Sequence, residues 1–231
     1  MAKDTTGRMH VQVKTGGKRK LSSKLWLERQ LNDPYVAQAK RDGYRSRAAY
    51  KLLEIDDKHH LLKPGMTVLD LGAAPGGWSQ IAARRVGAEA GKGRVIAIDL
   101  LEMGEIPGVT FTQLDFHAQD APEKLRAMLG GRADVVMSDM AANTTGHRKT
   151  DQLRIVGLVE LAAHFASEVL KPGGSFLAKT FQSGADADLM AQLKRDYASV
   201  RHVKPAASRQ DSSERYVLAM GFRGGEQADL L

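Results

Sequence analysis

The sequence predicts an open α/β fold: a mostly parallel seven-stranded sheet with helices on both faces and an antiparallel last strand. Three observations predict it. Short apolar runs alternate with segments of helical spacing between residues 66 and 196, and such alternation builds parallel strands through right-handed crossovers. The first run passes into a glycine-rich turn and then a helix, TVLDLGAAPGGWSQ at residues 67–80. The last two runs, 200–204 and 216–222, are joined by a polar loop without helical period, which makes them antiparallel neighbours.

In chain order, residues 1–22 show no sustained periodicity and carry Gly16-Gly17 and Lys18-Arg19-Lys20. They read as a basic arm, disordered until something anionic binds. Helices are expected near 22–31, 35–41 and 46–57, with Asn32-Asp33-Pro34 separating the first two and Ala49, Leu52 and Leu53 of the third facing inward. Lys63-Pro64-Gly65 turns the chain into a strand at 66–71. A helix at 78–86 follows, then strands at 94–98 and 109–114, a helix near 121–129 and a strand at 134–138. A helix near 151–169, a strand at 175–181 and a helix near 186–196 complete the alternation. Residues 23–222 therefore form a single domain, with 223–231 as a tail.

The turn after the first strand is a small-molecule cradle. Gly72, Ala73, Ala74, Gly76 and Gly77 keep side chains away from whatever lies there, so backbone touches the ligand. From Trp78 the spacing turns helical, with Trp78, Ile81, Ala82 and Val86 on one face, and the free N–H groups of that helix's first turn point into the cradle. A nicotinamide-binding turn would read G-x-G-x-x-G, whereas here Gly72 and Gly76 are separated by Ala-Ala-Pro. Acids lie at or near four successive strand ends, Asp70, Asp99, Asp115 and Asp139. Any one of them alone would read as an ordinary solvated turn residue. A carboxylate closing the second strand suits a ribose diol, because it accepts two hydrogen bonds at once. Several acids and no lysine disfavour a polyphosphate and favour a ligand that is cationic or rich in hydroxyl and amino groups. S-adenosylmethionine fits this description, with its carboxylate at the helix N-terminus. An aromatic such as Trp78 on the apolar face of a first turn is more often core than ligand wall.

The net charge of +7 is unevenly placed. Residues 1–51 hold 13 Lys and Arg against 4 Asp and Glu, and the remaining chain holds 21 against 23. A cationic segment beside a neutral domain is the footprint of a polyanion-binding surface, most often nucleic acid, and Arg45, Arg47 and the Lys18 to Lys20 cluster are its expected members. Cysteine is absent, which excludes disulfides and thiolate chemistry. No apolar run reaches the length of a membrane span, so a soluble, cytoplasmic chain is expected, without membrane attachment. The seven His show no metal-ligand spacing, so no metal site is expected.

Four segments in order, LDLGAAPGGWSQ, SDMAAN at 138–143, LKPGGSFLAKTFQ at 170–182 and SSERYVLAMG at 212–221, together resemble the FtsJ-type ribosomal RNA large-subunit methyltransferases. The resemblance covers roughly residues 22–222 and includes RSRAAYKLLEI at 45–55, similar to that family's N-terminal helix. It implies a Rossmann-like, class I S-adenosylmethionine-dependent methyltransferase fold. It also implies 2′-O-methylation of a uridine ribose in the peptidyl-transferase A loop of 23S ribosomal RNA, with the assembled 50S subunit as substrate and the enzyme acting as a monomer. The family's cofactor positions fall on Gly76, Trp78, Asp99, Asp115 and Asp139, and its catalytic set on Lys51, Asp139, Lys179 and Glu214. The chain departs from the pattern at Ala142, where the family usually has proline, and in a longer N-terminal arm.

Methyl transfer to a ribose hydroxyl needs a positioned base, which helps by typically about 10²–10⁴-fold. Lys179, ending an apolar strand on the expected ligand edge, is the candidate, either as base or as a cation steadying the alkoxide. Asp139 would orient it, and Glu214 would hold Lys51. Tyr50 and Phe181 could stack on a base or lie in the core. The competing readings are an enzyme acting on transfer RNA or a messenger cap, a non-catalytic ribosome-assembly factor, and a nicotinamide-dependent dehydrogenase.

Overall fold

The computed structural model describes residues 11–13, 21–141, 146–181 and 187–224. The expected arm at 1–10 and 14–20, the tail from 225, and Ala142 lie outside the described residues.

Three helices precede the sheet: α1 (Leu21–Asn32), α2 (Pro34–Arg41) and α3 (Ala48–His59). The Asn-Asp-Pro break behaves as its chemistry requires. Asp33 caps α2 by accepting from Tyr35 N, and Pro34 occupies the first turn, where its missing N–H costs nothing. Helix α1 begins at Leu21, inside the stretch assigned to the arm. Residues 11–13 lie along it: Val11 N donates to Asn32 Oδ1 at 2.8 Å, and Asn32 Nδ2 donates back to Val11 O at 2.9 Å.

The sheet then alternates with helices, through β1 (Thr67–Leu71), α4 (Gly77–Val86), β2 (Arg94–Asp99), β3 (Val109–Gln113), α5 (Ala121–Leu129), β4 (Ala133–Ser138) and α6 (Arg148–Val169). It ends with β5 (Leu170–Phe181), α7 (Ala187–Asp196), β6 (Tyr197–Val203) and β7 (Glu214–Phe222). The strand order is β3-β2-β1-β4-β5-β7-β6. Neighbours from β3 to β5 pair in parallel, and β7 runs antiparallel to both β5 and β6, as the polar 205–215 connection implies. Strand β6 starts three residues before the expected 200, because Tyr197 is buried against Phe222 with ring centroids 5.2 Å apart.

Side chains alternate across the strands, and the two faces have separate cores. Val68, Val95, Val135, Leu177 and Leu218 pack under α3 and α4. Leu69, Ile96, Val136, Phe176 and Ala219 pack under α5, α6 and α7. Each fully buried aliphatic side chain here is worth roughly 1.5–3 kcal/mol of transfer free energy, so the sheet's register is fixed from both sides. From β1 the chain moves outward to β2 and β3, then returns to build β4 and β5 on the other side. This reversal opens a crevice at the C-terminal ends of β1 and β4, where open α/β sheets bind ligands.

Candidate active site

The cradle is built at the end of β1. Gly72 N and Ala73 N both donate to Ile98 O, at 2.9 and 3.0 Å, fastening the turn to β2. Gly76 sits at φ 109°, and a Cβ there would stand 2.6 Å from Ile106 Cδ1 and 2.9 Å from Met103 Sδ. Only glycine fits on both counts. Asp99 is fixed by backbone, its Oδ2 accepting from Ala74 N at 2.9 Å and its Oδ1 from Leu101 N at 2.8 Å. Each oxygen keeps a further lone pair for a ligand hydroxyl. Asp115, at the end of β3, is exposed and accepts from His117 N at 2.9 Å.

The side chain of Trp78 faces away from the cradle. It is buried, its Nε1 donates to Ala48 O at 2.9 Å, and its ring lies 5.5 Å from that of Tyr216. The cradle therefore receives this residue's backbone while the indole joins α4 to α3. Asp70 carries a signal that strand-end position alone could not give. Its Oδ2 accepts from Ser79 Oγ at 2.6 Å, and Oδ1 has no partner among the described residues. Burial above all, opposed by the Ser79 hydrogen bond and reinforced by Asp139 and Asp99, pushes its carboxyl up to about 7. This orphaned carboxylate oxygen is fully buried behind the β1 turn, a burial that favours the neutral acid.

Lys51, Asp139, Lys179 and Glu214 come together in one hydrogen-bonded chain. Lys179 shares the sheet face of Leu177, is 8% exposed, and donates from Nζ to Asp139 O at 2.5 Å, with Asp139 Oδ1 at 3.2 Å. At the other end, Lys51 Nζ lies 2.6 Å from Glu214 Oε1, which also accepts from Ser208 Oγ at 3.0 Å. Burial alone would raise the Glu214 carboxyl, but the Lys51 and Lys179 cations and the Ser208 hydroxyl outweigh it and hold it below its ordinary value.

The link between the two halves is Tyr216, which sequence reasoning missed. It pairs with Lys179 across the β5–β7 ladder, its hydroxyl lies 3.1 Å from Asp139 Oδ1 and 3.3 Å from Glu214 Oε1, and Lys51 Nζ sits 5.7 Å from its ring centroid. Burial first, then the two carboxylates, raises its phenol well above the ordinary range, so it acts as a neutral donor. The signal was in SSERY: Tyr216 is two residues after Glu214 on one strand, hence on the same face. Tyr50, by contrast, is buried among Tyr35 and Tyr44 and donates to Asp42 Oδ2 at 2.5 Å.

With this geometry in place, the similarities to known proteins decide the family. Residues 44–222 match the FtsJ-like methyltransferase family. The chain belongs to that family. It is 94% identical over 231 residues, all of both chains, to a protein of Bradyrhizobium sp. (strain BTAi1) named ribosomal RNA large subunit methyltransferase E. A protein of the same name from Afipia carboxidovorans is 85% identical over 225 residues, 97% of this chain and all of the relative. Among solved structures, a ribosomal RNA methyltransferase from Plasmodium falciparum is 30% identical with TM-score 0.70, covering 79% of this chain and 100% of that one. The MycE methyltransferase, at 12% identity and TM-score 0.52 over 89% of this chain and 53% of its own, shares the fold.

In this FtsJ-like methyltransferase the two arginines expected on the polyanion surface are bonded internally. Arg45 donates to Gly104 O at 2.6 Å and to Glu105 O, tying the loop after β2 to the α2–α3 turn. Arg47 donates to Asp33 Oδ2 and to Ala207 O. Among the described residues, no cluster of His, Asp and Glu could hold a metal ion, and no helix is long and apolar enough to cross a membrane.

Proposed function

We propose that this enzyme methylates the 2′-hydroxyl of a uridine ribose in the A loop of 23S ribosomal RNA, on the assembled large subunit, with S-adenosylmethionine as donor. The observation that carries the reading is the Lys179–Asp139–Tyr216–Glu214–Lys51 chain at the mouth of the crevice. The relatives' names supply the ribosomal RNA.

The cradle residues fit the donor. Asp99 would hold the ribose diol, the Asp139 carboxylate would face the ammonium, and the first turn of α4 would take the carboxylate. Gly76 lets Ile106 and Met103 close against the turn and fix its shape, and Asp115 stands at the outer end, open to the base. When bound, the donor supplies an electrophilic methyl on a sulfonium. Once deprotonated to the free amine, Lys179 would take the proton of the 2′-hydroxyl as the methyl passes to that oxygen and its bond to sulfur breaks, leaving a neutral thioether. Asp139 aims its Nζ through carbonyl and carboxylate. Lys51, held by Glu214, adds a second positive charge that steadies the developing alkoxide, in a half-dry site where such a field is worth more than in water.

The test is transfer of labelled methyl from S-adenosylmethionine by the purified protein to large subunits from cells lacking it, followed by mapping of 2′-O-methyl positions. One new mark on an A-loop uridine is expected. Label on transfer RNA alone, or on a base atom, would overturn the reading.

A further inference from the structure

A second binding feature lies beside the catalytic chain. The loop at 204–213, between β6 and β7, stands off α1 and the start of α2 and leaves a cavity of about 810 Å³. A smaller one, of about 380 Å³, opens at Lys51 and Glu214. Arg29, Arg47, Arg209 and Asp211 line both. The two are therefore one groove, running from the catalytic end to a wider end walled by Leu25, Pro34, Tyr35 and Ala207.

Three of the four cations lining this groove are paired. Arg47 and Arg209 both face the buried Asp33 carboxylate, and Lys51 faces Glu214. A wall balanced in this way gives a phosphate little to gain. The wider end instead offers apolar surface, including Leu25 at 44% exposure, beside polar edges from Gln210 and Asp211. Arg29 has no ion pair among the described residues and stands where the two cavities join. Apolar faces with polar edges and a planar cation suit a nucleobase, whose faces stack and whose rim hydrogen-bonds.

The geometry points to a base-binding subsite: the groove receives the unstacked base of a nucleotide next to the acceptor, through Leu25 and Arg29. This rests on the proposed RNA acceptor. A loop ribose presented at Lys51 and Lys179 brings its neighbour along the strand, and the groove is continuous with that position. Helix α1 thereby becomes part of substrate recognition.

The experiment uses the full chain and a loop oligoribonucleotide carrying the acceptor uridine, either intact or abasic at one neighbour or the other. Anisotropy should show that one abasic change weakens binding to the wild type by about tenfold. Leu25→Ala and Arg29→Gln should each weaken binding of the intact oligonucleotide several-fold, and the abasic change should then add little. The exposed Arg29 keeps the test valid if Leu25→Ala perturbs the fold. Full abasic penalties in both variants, no penalty at either neighbour, or no oligonucleotide binding at all would overturn the subsite. Methyl incorporation is read separately, on large subunits from cells lacking the protein: coupling without that incorporation sinks the proposed activity alone, and incorporation without coupling sinks the groove alone.

Discussion

The Tyr216 hydroxyl stands 3.1 Å from Asp139 Oδ1 and is the only bridge, among the described residues, between the Lys179–Asp139 pair and the Glu214–Lys51 pair. It has one proton and two carboxylate acceptors, so at any moment it satisfies one of them. Tyr216→Phe removes that proton while leaving the ring on Trp78 and under Lys51. Turnover should fall about tenfold, the loss of one hydrogen bond to a charged group, with the thermal midpoint close to wild type. Unchanged kcat would show that the two ion pairs act independently.

Lys179→Ala should abolish proton transfer and lower kcat by at least about 10²-fold. Binding of S-adenosylmethionine should survive, because the cradle positions Gly76 and Asp99 lie at the start of α4 and the end of β2 rather than on β5. Single-turnover assays with calorimetric titration of the cofactor separate the two effects. Near-normal turnover would remove Lys179 from the chemistry.

The strands were legible because apolar runs of β-branched and aliphatic residues have one stable use in a sheet covered on both faces. The glycine turn was legible because few residue types tolerate the geometry at Gly76. Arg45 and Arg47 were not: a guanidinium bonded to carbonyls and one facing solvent look the same in a sequence, and only the fold brings Gly104 and Ala207 to them. Tyr216 was hidden for a related reason. Its ring belongs to the core under α3 and α4, and only its oxygen reaches the site.

Asp70 gives the fold a pH dependence with a definite sign. Its carboxyl is raised from 3.8 to about 7, so the folded state prefers the protonated form. Its contribution to stability is fully present below the ordinary value and is lost as pH rises through about 7. Asp70→Asn cannot ionise. Relative to wild type, the ligand-free variant should gain stability between about pH 5 and about pH 8, by about 2–3 kcal/mol. Urea midpoints at the two pH values check this, and parallel shifts in both proteins would show that Asp70 does not titrate there.

Asp33 receives Arg47 and Arg209 while 7% exposed, so Asp33→Ala leaves two guanidinium groups without their carboxylate. A loss of about 3 kcal/mol is expected. Activity should fall too, because Arg47 holds Ala207 O and the next residue, Ser208, positions Glu214. Asp33→Asn keeps an oxygen for the cap on Tyr35 N and loses only the charge, so comparing the two thermal midpoints separates the helix cap from the ion pairs.

Arg45 tests where the RNA surface lies. Its guanidinium holds Gly104 and Glu105, and its Cδ is 3.1 Å from where a Gly76 Cβ would stand. Arg45→Ala should therefore loosen the loop beside the cradle and weaken S-adenosylmethionine binding, about tenfold for the loss of charge-assisted bonds to backbone. The dependence of RNA affinity on salt should keep its slope, whereas a lost phosphate contact would flatten it by about 0.7. A flattened slope with normal cofactor affinity would mean that Arg45 leaves its carbonyls when RNA arrives. The expected pair of results moves the search for phosphate contacts to Lys18, Arg19 and Lys20, the densest run of cations in the chain.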